Sequence, residues 1–288
     1  MKKSIRFIIN PISGIGKKNI LPGLIQKYLD HTAFTYDIIM SEHRGHARQL
    51  SKNAADEGID IVCVAGGDGS VNEVGTALID TKTALAILPT GSGNGIARHL
   101  GMSLKLKKVI KRINKFELDT IDTITLNSRK AIGVSGFGFD ALIAKRFDDY
   151  HTRGFFSYIK LVLKEFRHYQ GISVVLNGKT EYSNLLFCSI ANTSQFGNGF
   201  YISPETDIKD GQFEIVFVKL PPIIGFVGLL FASVRGTVHK SKYVTLIKTS
   251  EAKIEVKQSV AHIDGEPIDF KDLSINLNCN PSSLSVVL

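Results

Sequence analysis

Short apolar runs alternate with segments of three- and four-residue periodicity through the first part of the chain. The runs Ile5 to Asn10, Phe34 to Met40, Ile59 to Val64 and Ala84 to Leu88 predict strands. Between them, NILPGLIQKYL, HARQLSKNAADEG and SVNEVGTALID predict helices, with Gly58 placed to end the second. Strand and helix in strict alternation imply an open, parallel α/β sheet covered by helices.

After LKKVIKRINKFELDTID the period shortens to two. DTITLNS, ISVVLNG, LLFCSIAN, FEIVFVK, YVTLIKT and AKIEVK read as strands separated by Asn-Gly, Asp-Gly and Ser-rich turns, which predicts a mostly antiparallel β domain. At least one helix is expected within it, at GFFSYIKLVLKEFRHY. The change of texture puts a boundary near Glu117, giving domains 1–117 and 118–288, and a length of 288 residues is enough for two cores. The opening MKKSIRFIINPISG is read as a first strand rather than a leader, because Asn-Pro ends its apolar run early. LPPIIGFVGLLFASV, Leu220 to Val234, is uncharged but shorter than the ~20 residues needed to span a bilayer. It is either a buried helix or a wall that touches membrane or an acyl chain, with Lys219 and Arg235 as interfacial anchors.

With 43% hydrophobic and 22% charged residues the chain is of globular rather than disordered composition. Cys63, Cys188 and Cys279 are isolated among strand-like neighbours, so they are expected as buried thiols in a reducing cytoplasm. The formal net charge of +8 would suit nucleic acid, anionic lipid or polyphosphate and does not choose among them. LKLKKVIKR is a solvated helix face or an attraction to anionic membrane. His43 and His46 are spaced H-x-x-H without a third ligand, so zinc is not expected.

Three of the predicted strands run into glycine-rich turns: INPISGIGKKN, VAGGDGSVNEV and LPTGSGNGIARHLG. Such turns at the carboxyl ends of parallel strands line a crevice in which backbone amides and helix N-termini favour phosphate. The cradle is not a Walker A loop, because Pro11 stands at the glycine position before Gly16-Lys17 and Lys18 follows. None of the three is GxGxxG, and Gly136, Gly138 and Ala141 match GxGxxA without a βαβ unit after them. Asp68, flanked by glycines, is a carboxylate suited to a metal or catalytic role in phosphoryl transfer, or else a turn-stabilising residue. Ser70 with Glu73 has the spacing of a capping box.

These residues resemble the catalytic region of the diacylglycerol, sphingosine and ceramide kinase family over nearly the whole chain. GGDGT-x-x-E stands here as Gly66 to Ser70 with Glu73, P-x-G-[ST]-x-N as Pro89 to Asn94, and N-P-x-S-G as Asn10 to Gly14. SEHRGHARQL is similar to a nucleotide-contacting segment, with Ser41 where a threonine is common, and HIDGEP is similar to a C-terminal D-G-E motif. The resemblance implies an NAD kinase-like nucleotide-binding domain, then a β-sandwich lipid domain whose last residues return to the first, with the active site between them. It implies ATP as donor, a lipid hydroxyl as acceptor and Mg²⁺. Asn10, Ser13, Gly14, Lys17, Ser41, Gly66, Gly67, Gly69, Gly91, Ser92, Gly93 and Asn94 would hold the nucleotide. Asp68 would serve the metal and the chemistry, and Glu266 or Asp68 would be the base, Glu266 being otherwise an ordinary turn residue. Asp210, in SPETDIKDGQFEI, would hold a structural Mg²⁺ or else belongs to an Asp-Gly hairpin turn, and Asp140, in GFGFDALIAKRF, is either a lipid-recognising carboxylate or a helix N-cap.

Gly95 replaces the aspartate frequent in diacylglycerol kinases after the loop asparagine, whereas IARHLGM is closer to that branch, so the lipid stays open. The expected partners are a lipid substrate at a membrane surface and, through an unpaired sheet edge, a second copy of the chain. Nucleic acid is not expected, and the location expected is cytoplasmic with peripheral membrane association. The competing readings are an NAD kinase, which shares G-G-D-G but carries its Asn-Glu motif well downstream, and a non-catalytic nucleotide or lipid binder. The only Asn-Glu pair here, Asn72-Glu73, lies inside the first motif.

Overall fold

A computed structural model describes residues 2–12, 17–148, 155–257 and 260–288. The chain divides into two units, Met1–Thr123 with Asn280–Leu288, and Ile124–Cys279.

The first unit opens with β1 (Lys3–Ile9), α1 (Lys17–Tyr28), β2 (Phe34–Met40), α2 (His46–Asp56), β3 (Ile61–Gly66) and α3 (Asp68–Leu78). It continues through β4 (Ala84–Pro89), α4 (Gly95–His99), α5 (Leu106–Ile113) and the start of β5 (Leu118–Leu126). β3 and β4, IVCVAG and ALAILP, are buried at every position, as strands covered on both faces must be. They pair in parallel, Cys63 opposite Ala86, and β1 pairs in parallel with both β2 and β3. The strand expected at Ile59 begins two residues later. Asp60 is drawn off to the start of β1, where its carboxylate accepts from the Lys3 ammonium (2.8 Å) and the Ser4 amide (2.9 Å).

The second unit comprises β6 (Arg129–Ala131), β7 (Val134–Gly138), α6 (Phe139–Asp148), α7 (Phe155–Phe166), β8 (Ile172–Leu176) and β9 (Thr180–Ala191). There follow β10 (Gln195–Gly197), β11 (Phe200–Tyr201), β12 (Phe213–Lys219), α8 (Ile223–Val234), β13 (Val244–Thr249), β14 (Glu251–Val256), β15 (Val260–Ile263), β16 (Glu266–Asp269) and the first part of β17 (Ser274–Val287). Its strands run in the order β16-β15-β7-β9-β8-β14-β17, with β12 between β9 and β13. Every pairing within β7, β8, β9, β12, β13, β14, β15 and β16 is antiparallel.

Strand periodicity decides which core each residue enters. Along β12, Phe213, Ile215 and Phe217 enter one cluster with Phe137, Val174 and Ile275. Val216 and Val218 point the other way, to a cluster built with Phe139, Phe166, Phe226 and Leu229 from the helices. The Phe217 ring stacks on Tyr182 at 3.9 Å, and Phe166 of α7 stacks on Phe226 of α8 at 4.0 Å. Cys63 and Cys188 are buried and free, and burial pushes both thiols well up; Cys279 is half-buried. Among the described residues no helix is long and apolar enough to cross a membrane.

The chain passes from the first unit to the second within β5 and back within β17. The texture change near Glu117 marks the approach to β5, a few residues before the chain changes unit. Beyond Cys279, β17 lies parallel to β4 with Val286 opposite Leu85, and the Asp80 and Leu288 amides donate to the Ser283 and Glu117 carbonyls at 2.8 and 3.0 Å. Leu284, Val286 and Val287 are all buried there. Deleting Asn280–Leu288 uncovers the edge of β4 and removes these side chains from the core. Hydrogen exchange on the truncated chain is expected to show lost protection in β1, β3 and β4 while β7, β9 and β12 stay protected.

Candidate active site

The second and third glycine turns meet backbone to backbone. A methyl group on Gly91 would lie 2.4 Å from the Gly67 Cα, and one on Gly66 would lie 2.3 Å from the Ser70 Cβ. The Thr90 and Gly91 amides both donate to the Gly66 carbonyl, at 3.1 and 3.2 Å. Glycine is therefore required here by close approach. The first glycine turn, with Ser13 and Gly14, lies outside the described residues, and Lys17 begins α1.

Asp68 is the first residue of α3 rather than the tip of an exposed turn. Its Oδ1 accepts the Ile96 amide at 3.1 Å. Burial pushes its carboxyl above the usual carboxylate range, against the opposing pull of the backbone amides of Gly95, Ile96, Asp68 itself and Asn94. Because the helix begins at Asp68, Gly69 and Ser70 fall inside its first turn, and the Ser70–Glu73 capping box does not form. The helix N-cap is Gly67, without a side-chain cap. Ser70 Oγ instead accepts from Asn10 Nδ2 at 2.9 Å, and Glu73 Oε1 accepts the Gly45 amide at 2.9 Å. Asn10 also closes its own turn by accepting the Ile12 amide at 3.0 Å, so it ties the end of β1 to α3. Ser41 is buried beyond β2, and its amide donates to the Ile9 carbonyl.

Asn94 takes a left-handed backbone (φ 51°) ahead of α4 and donates from Nδ2 to the Gly91 carbonyl at 2.7 Å. Its Oδ1 is buried without a hydrogen-bond partner. An orphaned acceptor beside a glycine turn fits a donor on a bound group, such as a nucleotide hydroxyl or a metal-bound water. The Gly93 carbonyl accepts from Arg98 Nε at 3.1 Å, and Ser92 is exposed.

In the second unit Glu266 follows a two-residue hairpin turn between β15 and β16. Asp264 and Gly265 both have positive φ, 49° and 85°, the backbone that an Asp-Gly turn of type I′ requires. The Asp264 carboxylate is buried and accepts the Ile132 and Gly133 amides at 2.9 and 2.7 Å. Asp140 does not cap α6. It sits in the first turn, where Oδ2 accepts from Ser189 Oγ at 2.8 Å and faces His262 Nε2 at 3.2 Å. The second histidine nitrogen, Nδ1, accepts the Gly265 amide at 3.3 Å, which leaves Nε2–H to donate to Asp140. A methyl group on Gly136 would lie 2.2 Å from Asp140 Oδ2, so the GxGxxA spacing reflects room for this pair. Sequence reasoning missed His262, although it stands two residues before Asp264 within HIDGEP. Asp68 belongs to the first unit, and Asp140, His262 and Glu266 to the second.

The two proposed magnesium positions differ. At Asp210 the donor set does not suit a divalent cation: one carboxylate oxygen pairs with Lys248 Nζ at 2.5 Å and the other accepts the Gln212 amide at 2.9 Å. Lys248 stands opposite Glu214 across β12 and β13, so the cation of this cluster is an ammonium. At Asp68 a lone carboxylate suits Mg²⁺ of the kind that keeps waters and phosphate ligands. Among the described residues no group of three His, Cys, Asp or Glu side chains could cage a metal. His43 and His46 stack at 5.0 Å, and their Nδ1 atoms meet the Arg44 carbonyl and the Glu42 amide.

The diacylglycerol kinase catalytic domain family matches residues 4–126, and the YegS C-terminal NAD kinase beta sandwich-like domain family matches residues 133–288. The chain belongs to the diacylglycerol kinase family of lipid kinases. It is 24% identical to a diacylglycerol kinase of Bacillus subtilis (strain 168) over 92% of this chain and 90% of that one. It is 28% identical to a diacylglycerol kinase of Mycobacterium tuberculosis (strain ATCC 25618 / H37Rv) over 97% and 93%. The fold is that of a diacylglycerol kinase from Bacillus anthracis str. Sterne (TM-score 0.71, 18% identity, 99% of this chain and 96% of that one). A more distant likeness is to an NAD kinase from Archaeoglobus fulgidus in complex with ATP (TM-score 0.54, 11% identity, 99% and 93%). The sandwich expected from the family resemblance is the second unit of this lipid kinase.

Two substitutions test the geometry of the first unit. Gly91→Ala forces a methyl group into the Gly67 backbone and is expected to cost about 1–3 kcal/mol in denaturant unfolding, with loss of nucleotide affinity measured by titration. Asp68→Asn separates stability from function. A carboxyl raised by burial is favoured when protonated, so its contribution is full below the ordinary carboxylate pKa and is lost as pH rises through the raised value. The neutral variant of this lipid kinase is therefore expected to melt higher than wild type at neutral pH, the difference closing by about pH 4.

Proposed function

We propose that the protein transfers the γ-phosphate of ATP to the hydroxyl of a membrane lipid. The observation that carries this reading is the half-buried Asp68 carboxylate, gripped by backbone amides at the start of α3 where two glycine turns touch. Such a site positions phosphates through backbone and places one negative side chain beside them. Gly66, Gly67, Gly91, Ser92, Gly93 and Asn94 hold the nucleotide, with Ser13, Gly14 and Lys17 contributing from the first turn. Asn10 and Ser41 act from behind by fixing the ends of β1 and β2.

Bound Mg²⁺, held at Asp68, would neutralise phosphate oxygens and favour the ionised carboxylate. Glu266 takes the proton from the lipid hydroxyl as its oxygen bonds to the γ-phosphorus and ADP departs. The type I′ turn and the buried Asp264 fix the backbone from which Glu266 projects. Asp140 holds His262 against that turn, which makes it a positioning residue in this mechanism. The reaction takes place in the cytoplasm with the protein peripherally bound to membrane.

The test incubates the protein with Mg²⁺, labelled ATP and, in turn, diacylglycerol, phosphatidylglycerol, sphingosine, ceramide and NAD. Label is expected in one of the lipids, with Glu266→Gln slowing transfer by about 10²- to 10⁴-fold while ATP still binds. Label in NADP, or in no acceptor while ATP binds, would overturn the proposal.

A further inference from the structure

Helix α8 carries its apolar surface on the wrong side for a soluble protein. Phe226 and Leu229 are buried against α7 and the sheet, as a packed helix requires. The opposite stripe has Ile223, Ile224, Val227, Phe231 and Val234, each at least 40% exposed, with Ile224 at 84% and Phe231 at 61%. At 100° per residue these five fall within one narrow arc. No charged residue occurs between Leu220 and Val234, so the helix is apolar all round although only half of it is covered.

The rim of this stripe is cationic. Lys219 and Arg235 are exposed at its two ends, and Lys240 is exposed just after the helix. Lys242 is exposed with its ammonium 5.2 Å from the centre of the Tyr243 ring, and that ring packs where Gly225 of α8 has no side chain. Beside the N-terminal end lies a cavity of about 450 Å³, walled by Phe166, Tyr169, Leu220, Pro221 and Ile223 and flanked by Arg167. An apolar strip between cations matches a bilayer surface, where side chains enter the acyl region and ammonium and guanidinium groups stay among anionic headgroups. A second copy of this face would bring the same cations against themselves across a two-fold axis, which is unfavourable.

We infer that the exposed stripe of α8 is the surface by which this protein docks on anionic membrane. The inference rests on the lipid-kinase reading for its purpose and on the helix alone for its evidence. The sequence has no tryptophan, so Phe231→Trp places a single reporter on the stripe. Mixed with phosphatidylglycerol/phosphatidylcholine vesicles, that variant is expected to shift its emission to the blue and to be quenched by brominated acyl chains, more so as the anionic fraction rises and less so with salt. In vesicle flotation, Ile224→Glu and Phe231→Glu are each expected to lower binding about tenfold or more. Their phosphorylation of a short-chain lipid dispersed in detergent should equal that of wild type.

Unshifted emission on vesicles, or glutamate variants that float like wild type, would overturn the docking surface. So would glutamate variants that change the oligomeric state in light scattering while vesicle binding persists, since the stripe would then face a second copy. Vesicle binding lost in the variants of a protein that phosphorylates no lipid supports the docking surface and sinks only the kinase reading.

Discussion

The first unit depends on the contact between the Gly67 and Gly91 backbones. With no room for a Cβ on Gly91, β3 and β4 can end side by side and hand their chains to α3 and α4 without separating. That closeness brings the amides of residues 94–96 onto the Asp68 carboxylate and leaves Asn94 Oδ1 with nothing to accept. A larger residue at Gly91 would force the two turns apart. The geometry around Asp68 thus rests on an absence of side chains.

The second unit uses the opposite device, a buried polar network that polar side chains complete. Asp140, Ser189, His262 and the Gly265 amide connect the first turn of α6, β9 and β15 to the Asp264–Gly265 turn. Asp264 adds two bonds to the backbone before β7. Buried networks of this kind favour one arrangement because every alternative leaves a polar group unpaired. Glu266 inherits that order from its neighbours in the chain.

Local signals were legible in the sequence and long-range ones were not. Strand runs and glycine turns announce themselves because period and composition are properties of a few consecutive residues. The S-x-x-E spacing of Ser70 and Glu73 reads identically at a helix cap and inside a helix, and only the Gly67 contact with the third turn decides where α3 starts. His262 depends on Asp140, 122 residues away, and the pairing of Asp210 with Lys248 depends on the register of β12 and β13. For α8 the pattern had no polar face to show which side would be covered. Its inner stripe is core and its outer stripe is exposed.

The route of the backbone through β5 and β17 also orders events in time. The parallel sheet begun at Lys3 is not complete until Val286 has been made, after the whole of the second unit. During synthesis the first unit therefore waits with the edge of β4 uncovered, while the unit translated later can close first. A nascent chain held just after the second crossing would present a finished sandwich attached to an unfinished sheet, the kind of species chaperones retain.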